Sequence, residues 1–382
     1  MNFPVDVFNN HKTPFYFYDM PLLKATLDEL KAQIADSPYE VHYAIKANAN
    51  ASLLAAIRDA GLGADCVSGW EVKAVVETGF ASNKIVFAGV GKTDSEIEYA
   101  LDHDIACFNI ESEPELRVIN DLALAKGKTA NVAIRVNPNI DAHTHRYITT
   151  GLSDNKFGIN LELLSDVVRL ANSLPAICLK GLHFHIGSQL TDFEPYKMLC
   201  EVVNRLQDEF EAEGVKFETI NVGGGLGIDY NNPDQNAIAD FKTFFEVFKK
   251  NIKLRDGQHL HFELGRSIVA QCGSLITRVS YVKKSVTKQF VIVDAGMSDL
   301  IRPALYQAHH AIQNISNTEG PCEKYDVVGP ICESSDTFGV DEQLPTVKRG
   351  DFLALRSAGA YGEIMASHYN LRPFAPALIW GE

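Results

Sequence analysis

From about residue 22 to residue 265, short apolar runs alternate with amphipathic stretches, and this alternation constrains the chain more than any other feature. Candidate strands cover 41–45, 85–88, 105–109, 130–135, 181–185, 219–222 and 259–263. Between them lie helical patterns at 53–59, 113–125, 161–171, 196–213 and 238–251. Strand and helix in alternation over such a length argue for parallel strands joined by crossover helices. A closed eight-stranded (β/α)8 barrel of the TIM type takes roughly 250 residues, close to this span. A doubly wound open sheet fits the bare pattern too. The special residues favour the barrel, because Lys46, His185, the glycines 223–225 and Glu263 each fall at the C-terminal end of a different strand. Barrel active sites are built there.

After Ser267 the pattern changes. Segments 275–282, 289–294, 324–328 and 351–355 read as strands without long helices between them. The alternating aromatic segment 15–19 is suited to supply one more strand. The expected organisation is an α/β barrel domain over 22–265 and a discontinuous β-rich domain, a small barrel or sandwich, made of 1–21 plus 266–382.

A formal net charge of −14 disfavours nucleic acid as a partner, since phosphate binding needs clustered Lys and Arg. No apolar run approaches the length of a membrane span. The segment MNFPVDVFNNHKTPFYFYD lacks a basic stretch followed by an apolar one, so no signal peptide is expected. Seven cysteines without a C-x-x-C pair fit neither a disulfide framework nor a zinc site. These features point to a reduced, cytoplasmic protein.

Lys46 follows an apolar strand in HYAIKAN, where a buried ammonium is expensive. It either reaches solvent or serves as an amine of lowered pKa, the form that Schiff-base chemistry needs. In HFHIGSQ, either His183 or His185 taken alone reads first as a hydrogen-bonded core residue, and the neighbouring strands offer the pair no third metal ligand. NVGGGLG runs a strand into a glycine turn of the kind that exposes amides to a phosphate, although any tight turn also wants glycine. In ELGR, Glu263 suits a pyridine nitrogen and equally suits a structural pair with an arginine. RPALY, CESSD and SAGAYG place Arg302, Tyr306, Cys332, Glu333 and Tyr361 on turns of the second domain.

In order, YAIKAN, HIGSQ, GGGLG, ELGR, RPALY, CESSD and GAYG resemble the alanine-racemase-type pyridoxal enzymes, and within them the diaminopimelate decarboxylases. The likeness runs from residue 15 to about residue 373. It implies pyridoxal 5'-phosphate as cofactor, with Lys46 as the Schiff-base lysine and His185 stacked on the pyridine ring. Ser188, Gly224 and Gly225 would receive the phosphate, Glu263 would pair with the ring nitrogen, and Gly265 and Arg266 complete the ELGR turn beside the cofactor. Cys332 would be the proton donor, and Tyr361 would touch cofactor and substrate. Arg266, Arg302 and Tyr306 would clamp a distal carboxylate, and Glu333 a distal ammonium. A zwitterionic far end distinguishes meso-2,6-diaminopimelate from ornithine, and arginine grips carboxylates bidentately. The implied reaction releases CO2 and L-lysine, the last step of lysine biosynthesis. In this family Cys332 and Glu333 come from the partner subunit, which implies a homodimer with shared sites.

The alternatives are a related ornithine, arginine or carboxynorspermidine decarboxylase, a racemase, and a non-catalytic cofactor-binding paralogue. RPALY speaks against the first, and retention of both Lys46 and Cys332 against the last. Four departures stand out: ELGR for Glu-Pro-Gly-Arg, CESSD for Cys-Glu-Ser-Gly-Asp, an altered RPFAPALIWGE tail, and a somewhat short chain. Ser335 in place of glycine is expected to strain its turn if positive φ is required there. His143 and His145 resemble a substrate-side loop.

Overall fold

The computed structural model describes residues 3–140 and 156–381; His143 and His145 lie outside the described residues. Eight parallel strands close into a barrel: β1 (Tyr39–Ala44), β2 (Gly63–Cys66), β3 (Ile85–Phe87), β4 (Cys107–Ile110), β5 (Ala130–Asn137), β6 (Ile177–His183), β7 (Thr219–Asn221) and β8 (His259–Leu264). Each pairs with the next in sequence, and β8 returns to β1 with His261 beside Glu40 and Glu263 beside His42. The barrel expectation is therefore met and the open sheet is not. A strand missing from the sequence reading is β2, whose four residues GADC carry no β-branched side chain.

Period-2 alternation on β8 sends Leu260, Phe262 and Leu264 toward the helical layer and His261 and Glu263 toward the barrel interior. The following physics is visible at the helix Phe241–Asn251, which begins where Asp240 caps the Thr243 amide. Its Phe244, Phe245 and Phe248 share one face, and their ring centroids lie 5.6, 5.0 and 5.1 Å from that of Phe262. Truncating Phe262 to alanine would remove the common partner, at a cost of about 3–5 kcal/mol.

The second unit holds a mixed sheet of eight strands. Strand Gly273–Lys284 pairs with Phe15–Asp19, Gln289–Val293 and Phe352–Leu355, so the N-terminal strand belongs to this sheet as its pattern implies. Ala377–Trp380 adds alongside Phe15–Asp19. A small aromatic core of Phe8, Phe15, Phe17 and Phe352 sits against Ile276 and Ala354. Compactness divides the chain into Met1–Thr26, Ile228–Ala239 and Arg266–Glu382 as one unit, and Leu27–Gly227 with Asp240–Gly265 as the other. The excursion Ile228–Ala239 lies inside the barrel's stretch of sequence yet clusters with the β-rich unit. Asp234 there accepts from the Arg356 guanidinium at 2.9 Å, a long-range tie that local pattern cannot reveal.

Candidate active site

At the C-terminal end of β1 the backbone leaves the strand through the single turn Ile45–Ala47, which lifts Lys46 off the sheet. Its Nζ lies 3.1 Å from Asp65 Oδ2, on β2. The Asp65 side chain is wholly buried and its Oδ1 has no hydrogen-bond partner among the described residues. Burial and the negative charge of Glu263 push the Asp65 carboxyl up to about 6, against the pull of Lys46.

Glu263 closes β8 inside the barrel. Its Oε1 accepts from Asn221 Nδ2 at 2.8 Å and from Asn109 Nδ2 at 3.1 Å, and Oε2 meets His183 Nε2 at 3.0 Å. Burial opposes ionisation here, but His183, Lys46 and His185 together hold the carboxyl well below its ordinary range. An ionised carboxylate only accepts, so His183 carries its proton on Nε2. A carboxylate offers about four lone-pair sites, and three donors leave one for a protonated ring nitrogen.

His185 follows β6. Burial first, then the charges of Lys46 and Arg135, lower its pKa far below the usual value and keep the imidazole neutral. Its Nδ1 accepts the Gly224 amide at a long 3.3 Å. Gly224 must be glycine, since a Cβ would stand 1.8 Å from the Glu263 carbonyl. At Gly225, φ is +99° and a Cβ would meet the Gly187 carbonyl at 2.6 Å. Ser188 is half-buried and follows Gly187, whose carbonyl faces the Gly225 position, and a Cβ at Gly265 would stand 3.0 Å from the Ala47 Cβ and 3.1 Å from the Ala44 Cβ. An amine, a carboxylate with a spare acceptor site, a neutral imidazole and a turn too tight for any Cβ fit a phosphorylated pyridine aldehyde.

The β-rich unit gathers two buried guanidinium groups. Arg266 donates to the Tyr230 hydroxyl at 2.7 Å and stacks 4.8 Å from the Tyr361 ring. Arg302 opens the short helix Arg302–Tyr306, lies 4.7 Å over the Tyr230 ring and donates to His310 Nε2 at 2.8 Å. His310 Nδ1 in turn donates to the Arg356 carbonyl at 2.8 Å. Burial and the neighbouring Arg302 charge lower His310 to about 3, so its Nε2 is free to accept. Among the described residues no carboxylate pairs with Arg302, and a buried cation without its anion is costly. Tyr306 is half-buried on the same helix, and Tyr361 holds a left-handed φ of +56°.

Cys332 and Glu333 stand apart in character, both exposed on the loop between Cys322–Val328 and Thr337–Pro345. Asp336 anchors that loop by accepting the Met297 amide at 2.6 Å and the Ile331 amide at 2.7 Å. Glu333 accepts from the Tyr369 hydroxyl and from Ser335 Oγ at 3.2 Å, and Cys332 Sγ lies 3.4 Å from Asn370 Oδ1. Ser335 does not adopt positive φ, so the strain expected from replacing glycine is absent. Leu264, for its part, ends β8 in register with Tyr43 and buries its side chain completely.

Asp65, Asn109, Asn221 and His310 escaped sequence reasoning. Asn109 lies inside β4 and Asn221 ends β7, strand positions where an amide side chain is unexpected, and that was the available signal. His310 sits in an undistinguished AHHAI segment.

Residues 22–270 match the family model described as "Pyridoxal-dependent decarboxylase, pyridoxal binding domain". The chain is similar to a protein named diaminopimelate decarboxylase from Bacteroides thetaiotaomicron, 57% identical over 371 residues, 97% of this chain and 96% of that one. It is similar to the Vibrio cholerae protein of the same name at 42% identity, over 96% of this chain and 87% of the relative. Among solved structures it resembles diaminopimelate decarboxylase from Helicobacter pylori complexed with L-lysine. There the TM-score is 0.93 at 41% identity, covering 99% of this chain and 94% of that one.

Proposed function

This chain belongs to the diaminopimelate decarboxylase family of pyridoxal-dependent decarboxylases, and we propose that it converts meso-2,6-diaminopimelate to L-lysine and CO2, the last step of lysine biosynthesis. The observation that carries the reading is the pairing of an ionised, triply donated Glu263 with a lysine held 3.1 Å from a buried aspartate at the same end of one barrel.

Pyridoxal phosphate, when bound, supplies the electron sink that accepts the pair released as the Cα–carboxylate bond breaks. Lys46 would hold the cofactor through Nζ, with Asp65 orienting that amine. Glu263 would keep a proton on the ring nitrogen, with Asn109, Asn221 and His183 fixing the carboxylate. His185 would lie against the ring, while Ser188, Gly224 and Gly225 would take the phosphate and Gly265 would let the chain pass closely. Cys332 delivers the Sγ proton to the α-carbon. Arg266, Arg302 and Tyr306 take the distal carboxylate, Glu333 takes the distal ammonium, and Tyr361 lies beside the reacting end. That Arg302 has no carboxylate partner among the described residues supports a substrate that brings one.

The cofactor domain is assigned to 22–265 and the β-rich domain to 1–21 plus 266–382. The enzyme is a homodimer in which each Cys332 and Glu333 serves the partner's site; their exposure, with that of Leu371 at 94% and Phe374 at 54% just after Asn370, a contact of Cys332, supports this. Seven free thiols support a cytoplasmic location.

CO2 release is measured with meso-diaminopimelate, ornithine and arginine in parallel. Turnover of diaminopimelate alone, absent in Lys46→Ala, is the expected result. Turnover of ornithine or arginine at comparable kcat/KM overturns the substrate assignment. A Lys46-dependent cofactor absorbance without turnover of any substrate overturns the enzyme.

A further inference from the structure

At the N-terminal mouth of the barrel, β1 and β8 bring together Glu40, His42 and His261, with one donor atom from each lying within 4.8 Å of the others. The three face the interior, since in register His261 stands beside Glu40 and His42 beside Glu263. None of them takes part in the chemistry above.

His42 has the settings of a ligand. Its Nδ1 lies 3.1 Å from the Lys84 carbonyl, which can only accept, so Nδ1 carries the proton and Nε2 the lone pair. That Nε2 is buried with no hydrogen-bond partner among the described residues, and the residue is only 2% exposed. A backbone carbonyl on one ring nitrogen and an open lone pair on the other is how proteins fix a metal-binding histidine. The neighbouring strand makes room for it. Gly63, the register partner of His42 on β2, could carry no Cβ without meeting His42 Nδ1 at 2.4 Å and the Lys84 carbonyl at 2.5 Å.

The carboxylate is in place as well. Glu40 Oε2 lies 3.9 Å from His261 Nε2, and Oε1 lies 3.2 Å from His259 Nδ1. A cleft of about 350 Å³ lined by Glu40, His42, Tyr39, Lys31 and Lys84 gives access from outside. Lys31 and Lys84 are the opposing charges that line the cleft, and the Lys84 ammonium is turned onto the Gly61 carbonyl at 2.8 Å.

We propose that Glu40, His42 and His261 form a binding site for a divalent transition metal, Zn²⁺ foremost, that staples the first barrel strand to the last. Two imidazoles and one carboxylate select Zn²⁺ or its Co²⁺ and Ni²⁺ neighbours over Mg²⁺ and Ca²⁺, which want oxygen ligands. Tetrahedral bonds of about 2.0–2.1 Å bring donors to about 3.4 Å from one another. Glu40, whose side chain is 44% exposed, has the freedom to close that gap. The fourth position goes to water. The ion ties together strands far apart in the sequence, so it stabilises the closure of the barrel without touching Lys46 or Glu263.

The test uses the intact holoenzyme, freed of adventitious metal by chelation and titrated with Zn²⁺ and with Co²⁺. One ion per chain is expected, with visible Co²⁺ d–d bands that lack thiolate charge transfer. The melting temperature rises by several degrees with Zn²⁺. Glu40→Gln and His261→Gln abolish both the bands and the rise while decarboxylation stays within about twofold of wild type, the range of a change remote from the chemistry. Absence of stoichiometric binding, or binding unchanged in Glu40→Gln, overturns the site, as does thiolate charge transfer, which would place the ion on a cysteine. If His261→Gln fails to fold, the partly exposed Glu40 position alone decides.

Discussion

The Glu263 cluster and the Cys332 loop are built on opposite principles. Glu263 is 5% exposed, accepts three side-chain hydrogen bonds from three other strands, and has its ionisation fixed by what surrounds it. Cys332 and Glu333 are exposed, and their contacts are the loop neighbours Ser335, Tyr369 and Asn370. Buried polar groups must be satisfied by the chain itself, whereas an exposed pair is left to be completed by something else. On the proposed reading, cofactor electronics would be set within one chain, and proton delivery would be completed by a partner.

The sharpest way to break that contrast is subunit complementation. Cys332→Ala should lower kcat by about 10²–10⁴-fold, the usual worth of a positioned proton donor. Lys46→Ala should be inactive. If sites are shared in a twofold dimer, unfolding and reassembling equal amounts of the two variants restores about a quarter of wild-type activity, because each mixed dimer holds one intact site. No recovery from verified mixed dimers would mean that each chain completes its own site.

Glu263→Gln probes the other side of the contrast. It keeps the shape but removes the charge that the three donors were arranged for. A kcat loss of about 10²–10³-fold is expected, comparable to losing one preorganised electrostatic contact. The same change should leave the dimer and the loop untouched, so sedimentation stays that of the wild type. A variant with full kcat would remove the ring-nitrogen role.

The two regions also differ in how far they can be read from sequence. Lys46, His185 and Glu263 were legible because each ends an apolar strand, and position at a strand's C-terminal end is itself information in a barrel. The strand that carries Asp65 was not, since GADC has neither apolar alternation nor β-branched residues, and only its neighbours' pairing makes it a strand. His310 and Tyr230 were invisible for another reason. Their meaning lies in contacts with Arg302 and Arg266 across gaps in sequence that no local pattern spans. Cys332 was legible through the CESSD motif, but the anchoring of its loop by Asp336 emerges only from the folded backbone.

Asp65 gives a pH test of the buried side. Its carboxyl keeps a proton up to about 6 in the folded chain, against an ordinary value of 3.8. The folded state therefore binds the extra proton between those values, and stability falls as pH rises through that window. Asp65→Asn removes the dependence. The free-energy gap between variant and wild type should shift in the variant's favour by about 2–3 kcal/mol at most from pH 4 to pH 6, following a shift of roughly two units. Urea midpoints across the range measure it, and a gap that does not change with pH would show that Lys46 fully compensates Asp65.

The smallest expected effect lies with Arg302, which is enclosed like Glu263 yet has no carboxylate partner among the described residues. His310 donates to the Arg356 carbonyl and accepts from Arg302, so it fixes the guanidinium, with both ring nitrogens engaged by the protein. His310→Leu removes both bonds while filling most of the space. Arg302 keeps its charge but loses its orientation, which should weaken ground-state and transition-state binding alike. KM for diaminopimelate rises about tenfold while kcat stays within about twofold. A fall in kcat with KM unchanged would place His310 in support of the fold of the second unit instead of the grip on the distal carboxylate.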